Sequence, residues 1–175
     1  KDCASASNEQ KLSGRWYRQH ELALAKAQRA NKKKRARAIH AKIANQRKDL
    51  LHKFSTRLVK NNAAIFVGDV ASAKLVKTTM AKSTLDAGWA SLKTMLEYKS
   101  HQAGIVFEVV NESYTTQTCS CCGAIPASSP KGRAGLRIRE WTCSDCGAVH
   151  ERDVNAARNI LAAGHRRLAE GIPVL

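Results

Sequence analysis

The stretch AAIFVGDVASAKLVKTTMAKSTLDAGWASLKTMLEYKSHQAGIVFEVV, residues 63–110, decides the fold class. It opens with an apolar run, Ala63-Ala64-Ile65-Phe66-Val67, which follows the polar Asn61-Asn62 and stops at Gly68-Asp69-Val70, the pattern of a short buried strand. It closes with a second such run, Ile105-Val106-Phe107-Glu108-Val109-Val110. Between the two, Leu85, Trp89, Leu92, Met95 and Leu96 recur at helical spacing, Ser83 and Asp86 offer N-caps, and Gly104 supplies the stop. Strand, helix, strand predicts a βαβ unit and therefore parallel pairing in an α/β fold. The apolar residues of that helix are core and carry no cofactor.

Upstream, the composition changes. Residues 11–60 hold sixteen Lys and Arg against only Glu21 and Asp49, so a net +14 of the chain's +16 sits in this segment. Ile39, Ile43, Leu50, Leu51, Phe54 and Leu58 form a thin apolar stripe through it, which predicts a long basic helix or helical hairpin. Lys32-Lys33-Lys34-Arg35 has no interleaved aromatic residues, so backbone phosphates of a nucleic acid, not stacked bases, are its expected partner. The first ten residues are polar and carry none of the punctuation that opens a folded unit, so the chain reads as beginning in mid-domain. No apolar run is long enough to span a bilayer and no signal peptide opens the sequence, from which a cytoplasmic, nucleoid-associated protein is expected.

Downstream, four of the six cysteines fall into two C-x-x-C pairs, each followed by glycine: Cys119 and Cys122 before Gly123, Cys143 and Cys146 before Gly147. Glycine allows the tight turn of a knuckle, and two knuckles supply the four thiolates of a closed, structural zinc site with no open position for chemistry. Cys121 is one thiol too many; it points away, or takes part in an alternative register that spacing alone leaves open. Cys3 reads as a buried or incidental thiol. Lys131, Arg133, Arg137 and Arg139 lie between the knuckles and let this module touch phosphate as well. A last helix is predicted from Arg152 or Asp153 to Ala169, with Val154, Ala157, Ile160, Leu161 and Leu168 inward and with Gly171 and Pro173 ending it.

The segments YTTQTCSCCG (114–123), WTCSDCG (141–147) and ERDVNAARNIL (151–161), in this order, resemble the C-terminal signature of TnpB, the transposon-encoded nuclease related to type V CRISPR effectors. DAGWASLKTMLEYKSHQAG (86–104) and the basic segment are similar to that family too, so the resemblance covers nearly the whole chain. It implies a partial RNase H-like (RuvC) domain over residues 1–113, with the basic helical insertion at about 15–62, a zinc ribbon over 114–150 and a C-terminal RuvC helix over 151–175. It further implies guide RNA and DNA as partners, and carboxylates holding Mg²⁺, because two divalent ions about 3.5–4 Å apart must flank one phosphodiester. Asp153, in Arg-Asp-x-Asn-Ala-Ala, matches the third-motif aspartate, with Asn155 as its supporting partner. Taken alone, an aspartate there would be read as a helix cap.

Two departures from the family pattern matter. Gly68 stands where the second-motif glutamate usually ends its strand, and Asp69 would point to the opposite side. Either activity is lost, or the glutamate is relocated, as in a subgroup related to the Fanzor proteins, to the end of the next strand at Glu112; the latter is the expectation. Asp2 resembles the stretch after the first-motif aspartate and is not that residue. The resulting expectation is a C-terminal part of an RNA-guided DNA endonuclease with Glu112 and Asp153 as Mg²⁺ ligands. The rivals are a nuclease-dead RNA-guided DNA binder and a standalone zinc-ribbon protein.

Overall fold

The computed structural model of the chain describes residues 2–69, 88–135 and 137–171. The elements are β1 (Asp2–Ser5), β2 (Lys11–Ser13), α1 (Trp16–Arg29), α2 (Lys33–Asn61), β3 (Ala64–Gly68), α3 (Trp89–Ala103), β4 (Val106–Val110), the single turn α4 (Gly132–Gly135), β5 (Glu140–Thr142), β6 (Val149–Glu151) and α5 (Arg152–Ala169). The strands pair as β1 with β2, β3 with β4, and β5 with β6. The first ten residues, read as carrying no start signal, fall largely within the β1–β2 pair and its turn, in which Glu9 adopts φ 66°.

The βαβ expectation holds in its described parts. Val106 N–H donates to Ala63 O at one end and Asp69 N–H to Val110 O at the other, so β3 and β4 advance in the same direction. The N-caps expected at Ser83 and Asp86, and Leu85, lie outside the described residues, as does Pro173. The described start of α3 is set by Gly88 at φ 69°, and Gly104 at φ 66° ends it in the left-handed conformation, which costs glycine nothing.

The chain divides into two compact units. The first is built on α1, α2 and α3, and its core is a short list: Trp16, Leu24, Ile43, Leu51, Phe54, Leu92 and Leu96 are all buried. Leu92, Leu96 and Ser100 recur every fourth residue, which keeps one face of α3 against α2. Leu50 departs from the expected stripe and is 41% exposed, because neighbours on a helix are about 100° apart and Leu51 takes the inward place. Lys99 anchors α3 to α2, its Nζ donating to His52 O, Ser55 Oγ and Thr56 Oγ1 at 2.7–2.9 Å. Burial lowers its pKa.

The second unit contains the ends of β3 and β4, the cysteine module and α5. Helix α5 packs closely enough on Phe66 that a methyl group at Gly164 would stand within 2.2 Å of the ring, and the His165 ring meets the same phenylalanine edge-on at 5.3 Å. Arg167 Nε closes the helix end with a 2.6 Å ion pair to the buried Glu108 on β4.

Candidate metal centres

The two knuckles are near copies of each other. Cys119 N–H donates to Ala124 O at 2.8 Å and Cys143 N–H to Ala148 O at 2.9 Å, while Gly123 and Gly147 return amides to Cys119 O and Cys143 O. Both glycines sit at positive φ, 77° and 75°, as the tight turn requires. The result brings the Sγ atoms of Cys119, Cys122, Cys143 and Cys146 within 4.8 Å of one another. Cys119 and Cys146 are 3.7 Å apart, Cys122 and Cys143 3.8 Å. Zinc–sulfur bonds of about 2.3 Å at tetrahedral angles demand sulfur separations of about 3.8 Å; a disulfide demands about 2.05 Å. The donor set therefore fits a tetrahedral thiophilic cation and no disulfide.

Electrostatics point the same way. Burial pushes the Cys119 thiol up, but the amides of Cys122 and Cys121 and the His150 ring outweigh it and bring it down to about 6. At Cys146 the Ala148 amide pulls down, while burial and the three neighbouring thiols push the value up to about 12. The Cys119 thiolate forms readily while Cys122 and Cys146 resist ionisation, so a full tetrathiolate needs a cation at its centre. Cys121 is exposed and outside the cluster, so of the two registers that spacing left open the structure assembles the one without it. His150 was not singled out from the sequence. Its Nε2 lies 3.0 Å from Cys119 Sγ, its ring packs on Trp141 at 4.8 Å, and the β5–β6 register pairs those two residues directly.

The carboxylates are arranged otherwise. A methyl group at position 68 would stand 2.7 Å from Glu112 Oε2 and 3.1 Å from Glu112 Cβ and Ile160 Cδ1. Gly68 is not in the positive-φ region, so its missing side chain matters for room, and the room is filled by Glu112. Asp69, set aside in the sequence because alternation turns it away, lies past the last residue of β3; its Oδ1 accepts the Glu112 amide at 3.0 Å. Burial, and then the charge of Asp69, raise the pKa of Glu112.

Asp153 does not cap α5. Glu151 does, accepting from the amides of Asp153 and Val154 and bonding Lys11 at 3.2 Å. The Asp153 carboxylate instead pairs with Arg139 at 2.6 Å and Arg152 at 2.9 Å. Asn155 is a correction: it is buried but does not support Asp153, because two residues along a helix turn a side chain about 200° away. It accepts from Ser120 N–H and donates to Thr115 O and Thr118 O, and Asn159 donates to the same two carbonyls. The turn that follows Glu112 is thereby fastened to α5. Ile160, which touches the space above Gly68, follows Asp153 by seven residues, hence on the same face of α5 and about 10 Å along its axis.

The profile described as "Probable transposase" (OrfB_IS605) matches residues 5–79, and that described as "Cas12f1-like, TNB domain" matches residues 89–160. A Streptomyces pristinaespiralis protein carrying the name RNA-guided DNA endonuclease is 44% identical over 155 residues, covering 81% of this chain and 37% of that protein. The TnpB-like protein L79 of Acanthamoeba polyphaga mimivirus is 35% identical over 135 residues, covering 73% of this chain and 25% of its own length. The chain belongs to the TnpB family. Against these relatives it spans 37% and 25% of their length. A solved Cas12f1–sgRNA–target DNA complex superposes with a TM-score of 0.64 at 21% identity, over 86% of this chain and 43% of that one, which shows that the TnpB chain shares its fold. No helix among the described residues is long and apolar enough to cross a membrane.

Proposed function

We propose that the chain is the nuclease-bearing part of an RNA-guided DNA endonuclease, with guide RNA and DNA as partners, in keeping with the names of its relatives and the contents of the Cas12f1 complex. On this reading residues 1–113 are a partial RuvC-like core, 114–150 a ribbon held by zinc on Cys119, Cys122, Cys143 and Cys146, and 151–175 the C-terminal RuvC helix. Glu112 and Asp153 would be the carboxylates that hold Mg²⁺, which would supply polarisation of the scissile phosphate and activation of water. The carrying observation is that Glu112 fills the space that a side chain at position 68 would occupy. A glutamate missing from one strand is thus replaced by one from its neighbour, at the carboxyl end of a parallel pair, where α/β sites gather.

The protein's own residues divide the work. Glu112 and Asp153 supply hard oxygen ligands. Arg139 holds Asp153 through a partly exposed ion pair worth about 1 kcal/mol or less, weak enough for a divalent cation to displace, while the more buried Arg152 holds the other oxygen. Along α2, His52, Lys53, Thr56, Arg57, Lys60 and Asn61 line an open hollow of about 490 Å³ on one basic face, suited to a phosphate backbone. In the guide-loaded protein Asp153→Ala is expected to abolish DNA cleavage while guide-dependent DNA binding stays within about threefold, since phosphate contacts dominate affinity. Undiminished cutting by that variant overturns the assignment.

A further inference from the structure

We propose that Asp69 is the positioning residue for Glu112, holding its backbone amide so that the glutamate side chain stays over Gly68. The ladder between β3 and β4 ends at the bond from Asp69 N–H to Val110 O, 2.9 Å long. Glu112 lies two residues beyond Val110, where an unpaired chain end would fray. Asp69 prevents this by using both of its polar ends. Its amide grips the last carbonyl of β4, and its carboxylate Oδ1 reaches forward 3.0 Å to the Glu112 amide. On the other side, Thr115 holds Glu112 O with its amide at 3.2 Å and its hydroxyl at 2.8 Å. The Glu112 backbone is therefore fixed before and after its Cα, and only the side-chain torsions remain free.

This arrangement also explains why an aspartate serves at the end of β3 although strand alternation turns it from the site. The carboxylate is required as a hydrogen-bond acceptor for the neighbouring strand's amide; the ligand is the neighbour. Support of a metal ligand by a second residue commonly changes metal affinity 10–100-fold. The inference rests on the reading of Glu112 as a divalent-cation ligand, and the test separates the two.

The whole chain is used, with Asp69→Ala and Asp69→Asn, the latter keeping a carbonyl acceptor of the same shape. The first measurement is metal-free: amide hydrogen exchange at Glu112, read by NMR. Asp69→Ala is expected to speed it about tenfold or more, and Asp69→Asn to keep it within about threefold of the parent. The second is Mn²⁺ binding by electron paramagnetic resonance, with the cobalt spectrum of the cysteine cluster as the control for folding. Asp69→Ala is expected to weaken Mn²⁺ about tenfold, with substantial rescue in Asp69→Asn. An unchanged Glu112 amide in Asp69→Ala overturns the proposal, and so does an Asp69→Asn as damaged as the alanine, which would assign the role to charge. A parent chain that takes up no Mn²⁺ while the amide responds as expected overturns the metal reading and leaves the positioning of Glu112 standing.

Discussion

The four thiols and the two carboxylates lie in the same unit, yet the first set is assembled and the second is held apart by other partners. Each knuckle closes on itself within about six residues, with amides, carbonyls and a positive-φ glycine in duplicate, so each pair of thiols is presented locally and only the meeting of the two pairs, 21 and 27 residues apart, is tertiary. Glu112 and Asp153 depend on residues far along the chain: on Gly68 and Asp69 for one, on Arg139 for the other. A soft, closed site can be local because its function is to hold structure. A hard site that must admit a substrate has ligands that stay partly exposed and exchangeable, and its geometry is built by tertiary contacts.

That contrast can be broken at either end. The largest effect is expected from Cys143→Ser, which removes one of the four thiols proposed to hold zinc; metal-linked folding of such sites is worth about 10 kcal/mol or more, so zinc content and exchange protection of residues 119–150 should both collapse. Asn155→Ala comes next. It leaves Ser120 N–H without its acceptor and takes away one of the two amide donors on Thr115 O and Thr118 O, which Asn159 still serves, a loss of about 2 kcal/mol that lowers the melting temperature by about 4–8 °C in a calorimetric scan. Gly68→Ala should change stability by less than about 1 kcal/mol but weaken Mn²⁺ about tenfold by pushing the Glu112 carboxylate out of its place, as titration would read.

Smaller effects sharpen the picture. Glu112 has its pKa raised from the ordinary 4.5 by burial and by Asp69, so folding favours its protonated form. Its contribution to stability is complete below the ordinary value and disappears as pH rises through the raised one; divalent-ion affinity rises over the same window. Glu112→Gln should flatten both profiles, measured by denaturation and Mn²⁺ titration across that range. Least of all, Arg139→Gln should free one oxygen of Asp153, the other staying with Arg152, and strengthen Mn²⁺ binding about twofold, in line with a half-exposed ion pair.

How much of this could be read from residue order follows the same division. The knuckles were legible because their chemistry is written in consecutive letters, and so were α3 and α5 from their apolar spacing and glycine stops. Asp69 was set aside as a ligand by strand alternation, and its use as the acceptor for the Glu112 amide was not legible because that partner lies 43 residues away. Asn155 was assigned to the wrong partner because proximity in sequence on a helix places side chains on opposite sides. His150 gave no signal beyond being a histidine between a cysteine pair and a helix; only the strand register that sets it against Trp141 brings it to Cys119. The capping role of Glu151 could have been found from its place just before a regular helix, had Asp153 not drawn the attention.

Strand β6 ends at Glu151 and helix α5 begins at Arg152, with no residue between them. A junction without slack behaves as a crank: torsion applied to the cysteine module passes into the first turn of the helix instead of being absorbed by a linker. Asp153 sits in that turn. A movement of β6 therefore meets no linker in which to dissipate before it reaches the carboxylate two residues past the joint.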